Sequence, residues 1–515
     1  MAHVTLIGPG IVTQKGDFFG TGIPYFPLTV LYAAAHLRSL GHNINLIDAF
    51  GENPFQVAEE GDKYIQGLTP QQVASRISPE SILICIGAER LIAHGSVLDL
   101  LAAIRQVPTL SRIPVAILEN TQAVTAYSLR AVKEEFLSRG AQFIVTGEPE
   151  IRLVSLIGAL AAKDTAGLEE RLARIDGLIF RGKDGRTHVS DGKEFIRDPD
   201  VLPFPAWDLT RVENYWKLGY AHAPITTGKY LPLLTSRGCP YPCTFCVVPN
   251  TNNQRWRPRS AKNVVDEMEF FFKSYGVREY HLEDLNPTIR KDRMQEIAME
   301  IMKRDLPIEW KIVSGTKVET LDEETIRLMA KSGCTYVSIS PETGSPRIIK
   351  MMRKPMPYVR ALELVREMHR SGMTTQACFI LGYPGEQQDD LRMTRSYIRQ
   401  IVRAGIDEIA VLILTPTPGS EIFEQYAREN ELTDITRFTF TPIWRRDYRR
   451  YALERVRCYL TFLFWRAVYH PLDLLRLPID FLLGTFRTKS EMTLYRLLRV
   501  WVLSLGNKVT INGQS

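Results

Sequence analysis

Three cysteines within eight residues carry the strongest chemical signal in this chain. Ser236-Arg237-Gly238-Cys239-Pro240-Tyr241-Pro242-Cys243-Thr244-Phe245-Cys246 spaces its thiols as C-x3-C-x2-C. Three thiolates on one short loop can hold three irons of a [4Fe–4S] cluster, leaving the fourth iron open to a small molecule. Pro240 and Pro242 keep that loop out of helix. A structural zinc site would want a fourth ligand; His222 and His281 are the nearest candidates, both well away in sequence, and no second C-x2-C exists. The other four of the 7 cysteines, Cys85, Cys334, Cys378 and Cys458, are scattered through apolar stretches. An odd count clustered in this way argues against a disulfide framework and for a reducing compartment. Cys85, Cys334 and Cys378 read as buried structural thiols.

The thiols need a rigid platform, and the surrounding pattern predicts one. Tyr230–Thr235, Glu279–Leu282, Trp310–Val313, Tyr336–Ile339, Thr375–Leu381 and Glu408–Leu414 read as strands, separated by helices such as Ala261–Tyr275 and Asp390–Ala404. Six such units are too few for an eightfold barrel and predict a partial (β/α)6 TIM-like barrel over 226–425, with its chemistry on the loops after the strands. The cysteine loop follows the first strand. Upstream, Val4–Ile7, Asn45–Asp48, Ile82–Ile86, Val115–Leu118 and Phe143–Thr146 alternate with helices such as Leu28–Leu40. They predict an α/β N-terminal domain over 1–165, a doubly wound Rossmann-like parallel sheet. Ligands of such sheets sit beyond the strands' carboxyl ends, here Gly8-Pro9-Gly10, Gly87 and Gly147-Glu148-Pro149-Glu150. Residues 166–225 read as a connector, with a hairpin at Gly177–Val189 turning on Asp184-Gly185. From 426 to 515 the pattern becomes a helical tail, with apolar stretches Tyr451–Tyr469 and Leu494–Leu505.

The 515 residues are 45% hydrophobic and 24% charged, an ordinary globular composition with room for two or three domains. The sequence has no uninterrupted apolar run of about 18 residues, and its N-terminal MAHVTLIGPG lacks a basic region and a cleavage site. Neither a simple membrane span nor a secretory signal is expected, and the expected location is cytoplasmic. Charge is uneven along the chain. Arg437 to Ser515 holds 14 Lys/Arg against 5 Asp/Glu, while the preceding 436 residues carry a net of −3. Those last 79 residues also hold 14 of the 49 aromatic residues. A basic, aromatic helical tail suits peripheral contact with an inner membrane surface or a cap closing the barrel mouth. Nucleic acid is the least favoured partner.

C-x3-C-x2-C with an aromatic before its last cysteine, after a first barrel strand, resembles the radical S-adenosylmethionine (SAM) superfamily over about 230–425. The resemblance implies that Cys239, Cys243 and Cys246 ligate the cluster, that its open iron chelates the SAM amino and carboxylate groups, and that Phe245 lies near the adenine. One electron then cleaves the sulfonium C–S bond and releases a 5′-deoxyadenosyl radical. Where the family contacts SAM, the strand ends here carry Glu283-Asp284 and Ser340-Pro341-Glu342-Thr343-Gly344-Ser345. Glu283, Asp284, Ser340 and Glu342 are therefore candidate SAM contacts, with a helix N-cap or a loop salt bridge as the plain alternative for each. Gly382-Tyr383-Pro384-Gly385-Glu386 and Pro418-Gly419-Ser420 also look like family signatures.

The first domain resembles the cobalamin-binding module that often precedes this kind of barrel. Pro27-Leu28, Leu37-Arg38-Ser39-Leu40-Gly41-His42, Leu46-Ile47-Asp48 and Gly147-Glu148-Pro149-Glu150 carry the likeness, which makes Gly147 and Glu148 candidate cobalamin contacts. Modules with a protein axial ligand have Asp-x-His-x-x-Gly after the first strand; here that turn is Gly8-Pro9-Gly10-Ile11-Val12, without histidine. An empty, vestigial domain is the alternative, since a fold does not guarantee its ligand. Together these resemblances imply a cobalamin-dependent radical SAM enzyme that methylates an unactivated carbon of a small hydrophobic substrate, an isoprenoid lipid or a tetrapyrrole. A flavodoxin or ferredoxin would donate the electron. The alternatives are a radical cyclase of the anaerobic tetrapyrrole type and a non-catalytic iron–sulfur electron carrier or scaffold.

Overall fold

A computed structural model describes residues 1–17, 20–162, 167–429, 434–437, 441–473, 476, 480, 483–506 and 508–509. The expected domain boundary at 165 lies outside the described residues.

Ten strands precede the cysteines: β1 (His3–Gly8), β2 (Ile11–Gln14), β3 (Asn43–Asp48), β4 (Val57–Glu60), β5 (Lys63–Gln66), β6 (Leu83–Ala88), β7 (Val115–Glu119), β8 (Phe143–Val145), β9 (Leu178–Arg181) and β10 (Thr187–Val189). The first sheet has the order β10-β9-β8-β7-β6-β1-β3, with β3, β1, β6, β7 and β8 parallel. Alternation along the strands splits its apolar residues between two cores. Ile7, Ile84, Ile86 and Ile117 face one side, while Leu6, Cys85, Ala116 and Leu118 face the other, in a core continuous with that of the barrel.

Two features depart from the sequence expectation. The hairpin at 177–189 belongs to this sheet, not to a connector, because Leu178, Ile179 and Phe180 pair antiparallel with Val145, Ile144 and Phe143 and are buried there. The Gly8-Pro9-Gly10 turn leads straight into β2, which joins β4 and β5 in a small antiparallel sheet. The charged run Glu59-Glu60-Gly61-Asp62-Lys63 at the tip of the β4–β5 hairpin masks that pattern in the sequence.

The barrel strands are β11 (Tyr230–Leu233), β14 (Glu279–Leu282), β15 (Glu309–Thr316), β16 (Cys334–Glu342), β17 (Thr374–Leu381) and β18 (Glu408–Ile413), all parallel and neighbouring in chain order. Two short strands, β12 (Ser236–Arg237) and β13 (Arg257–Pro258), pair beside them. β11 and β18 are not joined, so the barrel is open as expected for six units. Register shifts interrupt the pairing of β15 with β16 between Ile312 and Thr316, and of β16 with β17 between Ile339 and Glu342.

The tail folds back on the barrel. Helix Tyr448–Tyr469 buries Tyr451, Glu454, Cys458, Phe462 and Arg466 at helical spacing, against helix Gln388–Ala404 and β18. Helix Lys489–Gly506 closes the barrel foot. The Lys489 and Ser490 backbone N–H groups donate to Glu408 at the start of β18 (3.0 and 2.9 Å), and Lys489 Nζ donates to the Val313 carbonyl (2.6 Å). No helix among the described residues is long and apolar enough to cross a membrane.

Candidate functional site

The cysteine loop leaves β11 under tight control. Asp284, just past β14, accepts from Thr235 N (2.9 Å), Thr235 Oγ1 (2.8 Å) and Ser236 Oγ (2.6 Å), so both its oxygens are committed to the chain entering the loop. Gly238 has φ +78°, and a Cβ there would lie 1.9 Å from the Arg255 carbonyl oxygen. Only glycine fits that turn. Farther on, Thr244 N donates to the Met352 carbonyl (3.2 Å), and Thr244 Oγ1 and the Tyr383 hydroxyl are 2.7 Å apart. Tyr383 belongs to the Gly382-Tyr383-Pro384-Gly385-Glu386 run, which thereby braces the loop from the end of β17.

The thiols are partly buried, and burial raises all three, Cys243 to about 11 and Cys246 to about 12, against the opposing pull of Lys354. Cys243 feels the charge of Cys239, and Cys246 that of both others, so they form one group. Their sulfurs do not all lie within 4.8 Å of one another. One tetrahedral zinc, with Zn–S of about 2.3 Å, would draw them closer than that. A cluster offering each cysteine its own iron matches the set better, and loading it must displace the thiol protons.

Four expected contacts ring this loop with different roles. Phe245 joins the apolar cluster of Ile348, Met352, Ile380, Tyr383, Leu414 and Ile422. Glu342, at φ +63°, forms an ion pair with Lys354, the lysine that also faces Cys243. Ser340 lies against Gly315, where a Cβ would meet its hydroxyl, so the two register shifts interlock. Glu283 accepts from His222 Nδ1 at 2.8 Å. Burial lowers His222 to about 4, so near neutral pH the imidazole is uncharged, with its proton on Nδ1. Its Nε2 then faces the Tyr25 hydroxyl at 3.4 Å.

Asp284, Gly147 and Glu148 take other roles than the contacts expected of them. Asp284 is spent on the loop. Gly147 N donates to Glu119 (2.7 Å), and its positive φ places it under the Arg152 guanidinium. Glu148, fully buried, accepts two bonds from Arg257 (both 2.8 Å), one from Ile196 N (2.7 Å) and a longer one from Arg237 (3.3 Å). Glu150 accepts from Arg237 at 2.6 Å. Arg237 immediately precedes Gly238, so the end of the first sheet grips the root of the cysteine loop. Gln122, after β7, adds an amide oxygen that accepts from Gly238 N (3.0 Å).

Between these two anchored parts lies a cleft that sequence reasoning did not populate. Tyr25, Glu89, Arg90 and Asn120 line it from the strand ends of the first sheet, and His222 and Glu283 from the barrel. Glu89 accepts from Thr29 (3.0 Å) and Asn120 (2.8 Å) through one oxygen, and its other buried oxygen has no partner among the described residues. Burial raises its carboxyl to about 7. Arg90 stacks 3.3 Å over the Tyr25 ring, and its Nε is likewise unpartnered. Unsatisfied buried polar atoms at the strand ends of a doubly wound sheet fit a large polar ligand.

Residues 233–398 match the family described as the Radical SAM superfamily. The chain is 25% identical over 435 residues to cytidylyl-2-hydroxyethylphosphonate methyltransferase of Streptomyces wedmorensis, covering 78% of each. It is 28% identical over 319 residues to anaerobic magnesium-protoporphyrin IX monomethyl ester cyclase of Rubrivivax gelatinosus, covering 61% of this chain and spanning little more than half, 54%, of that one. The solved structure of the cobalamin-dependent S-adenosylmethionine radical enzyme OxsB with aqua-cobalamin bound superposes with a TM-score of 0.65 at 15% identity, covering 98% of this chain and 80% of that one.

Proposed function

We propose, for a chain that carries a radical SAM domain on the fold of the cobalamin-dependent radical SAM enzymes, methyl transfer from SAM to an unactivated carbon of a hydrophobic small molecule, an isoprenoid lipid or a tetrapyrrole. The observation that carries this reading is the cleft itself: its partnerless Glu89 and Arg90 atoms lie between the sheet ends and a cysteine loop locked to the same domain. Cys239, Cys243 and Cys246 would hold a [4Fe–4S] cluster, and Glu342, Lys354 and Phe245 would flank SAM beside it. Tyr25, Glu89, Arg90 and Asn120 would hold a cobalamin in the cleft. Bound there, the cluster supplies the electron that cleaves SAM, and the cobalamin supplies the methyl carrier.

The chain's own residues hold and shield. Asp284, Gly238 and Gln122 fix the loop, Arg237 sets its distance from the first domain, and the tail helix shuts the barrel foot against water. Glu283 holds His222 with Nε2 unprotonated, able to accept a proton at the cleft wall. A flavodoxin or ferredoxin is the electron donor in this reading. Likeness to the cyclase favours one second reading, radical ring closure on a tetrapyrrole.

Anoxic reconstitution followed by iron, sulfide and cobalamin quantitation tests the cofactor set, with Cys243→Ala as control. Transfer of label from the SAM methyl group to product supports methylation, and ring closure without label supports the cyclase. A reduced cluster that never cleaves SAM makes the chain an electron carrier or scaffold.

A further inference from the structure

The tail's outward surface is unlike the rest of the molecule. Of the 25 large hydrophobic residues exposed among the described residues, 14 fall between 443 and 505. On helix Tyr448–Tyr469 they are Leu453, Val456, Leu460, Leu463, Phe464 and Val468, spaced three and four apart on the face opposite the buried Cys458 and Phe462. On helix Lys489–Gly506 they are Leu494, Leu498, Trp501, Val502 and Leu505, again one stripe. Leu463 and Leu494 stand at one cavity of about 850 Å3 whose walls also carry Asp407, Glu408, Arg466, Asp473 and Glu491, and the stripes on either side of it make up the tail's apolar field. Exposed Arg449 and Arg450 stand at the start of the first stripe, Arg457 lies within it beside Leu453 and Leu460, and Arg476 and Arg487 are exposed between the two helices, in a segment whose net charge is +9.

We propose that this field docks on an anionic bilayer surface, with the two helices lying in the interface and their arginines among the headgroups. Two helices that turn aliphatic, phenylalanine and tryptophan side chains outward, with arginines beside them, match that surface in both hydrophobicity and charge. A second copy of the chain matches it poorly, because a two-fold contact would set one basic border against the other. Nucleic acid matches poorly too, since of the eleven exposed large apolar residues on the two helices nine are aliphatic and only Phe464 and Trp501 could stack on bases. Helix Tyr448–Tyr469 runs alongside β18, from Arg445 at the Leu414 carbonyl to Arg466 at the Ile406 carbonyl, so its outward stripe flanks the barrel instead of covering one end of the strands. The proposal does not depend on which substrate the cleft takes.

Flotation of the anoxically purified full chain tests it, using vesicles of equal parts phosphatidylglycerol and phosphatidylcholine against pure phosphatidylcholine. The chain is expected to float with the anionic vesicles and to be released by salt. Leu460→Glu with Leu498→Glu, at sites 60% and 49% exposed, is expected to cut the bound fraction about tenfold or more while leaving iron content and melting temperature unchanged. Arg449→Glu with Arg450→Glu, which leaves the apolar stripe intact, is expected to weaken binding to the anionic vesicles selectively. Three results would overturn the proposal: no flotation of the wild type, equal flotation of both variants and wild type, or sedimentation as a dimer that Leu460→Glu and Leu498→Glu dissolve.

Discussion

Replacing Arg237 with methionine tests whether the first domain holds the cysteine loop in place. Arg237 is 4% exposed, and its two carboxylate partners, Glu148 and Glu150, are 0% and 2% exposed. Glu148 keeps Arg257 when Arg237 is lost, but Glu150 loses the only ion-pair partner it has among the described residues. Stranding a buried charge in this way costs about 3–5 kcal/mol. Because Arg237 adjoins Gly238 and Cys239, the cost falls on local opening of the loop. At about 1.4 kcal/mol per decade, amide hydrogen exchange across 236–246 should accelerate about a hundredfold or more. Adding Glu150→Met removes the stranded charge as well, so the double variant should recover most of that protection, to within about 1–2 kcal/mol of the wild type. Exchange in the single variant within tenfold of wild type, or faster exchange in the double variant than in the single, would refute the clamp.

Three further outcomes follow from the same geometry. Gly238→Ala forces a left-handed residue, at about 1–2 kcal/mol, and places a methyl carbon in the Arg255 carbonyl; iron and sulfide bound after anoxic reconstitution should fall severalfold. Glu89, raised to about 7 by burial, keeps in the folded chain a proton that the unfolded chain releases near pH 4.5. The apoprotein's stability should therefore fall as pH rises from about 4.5 to 7 and then level off, by at most about 3 kcal/mol from this group, and melting curves of Glu89→Gln should lack that slope. Buried Arg445 donates to the Leu414 carbonyl (2.8 Å) and to the Gly382 carbonyl (3.2 Å); Arg445→Met should cost about 1–3 kcal/mol for each carbonyl left buried without a donor, read as a lower melting temperature and faster proteolysis near 445.

The barrel and most of the first sheet were legible because buried parallel strands read as short apolar runs, and six of them recur in order from Tyr230 to Leu414. The cysteine triplet was legible because its spacing is local. What the sequence hid was contact across distance. Nothing near His222 announces Glu283, and nothing in Gly147-Glu148-Pro149-Glu150 says that its carboxylates meet Arg237 and Arg257 instead of a ligand. Asp284 looked like a SAM contact because it follows a strand, yet the loop's own N–H and hydroxyl groups reach it first. The β4–β5 hairpin escaped because its charged tip breaks the alternation. For the tail, the cap expected at the barrel mouth is instead a helix packed along β18 and a second helix that meets the start of that strand at Glu408. Cys458 and Phe462 are buried against the barrel, while Leu460 and Phe464 point away from it.

The Lys489–Glu408 plug also sets an order of events during synthesis. The residues that stopper the sheet's underside leave the ribosome about 240 residues after Cys246, which at ordinary elongation rates is tens of seconds. Throughout that interval the nascent β-strands stand open from below, so the newborn chain is most exposed to aggregation before its cysteine loop is shielded.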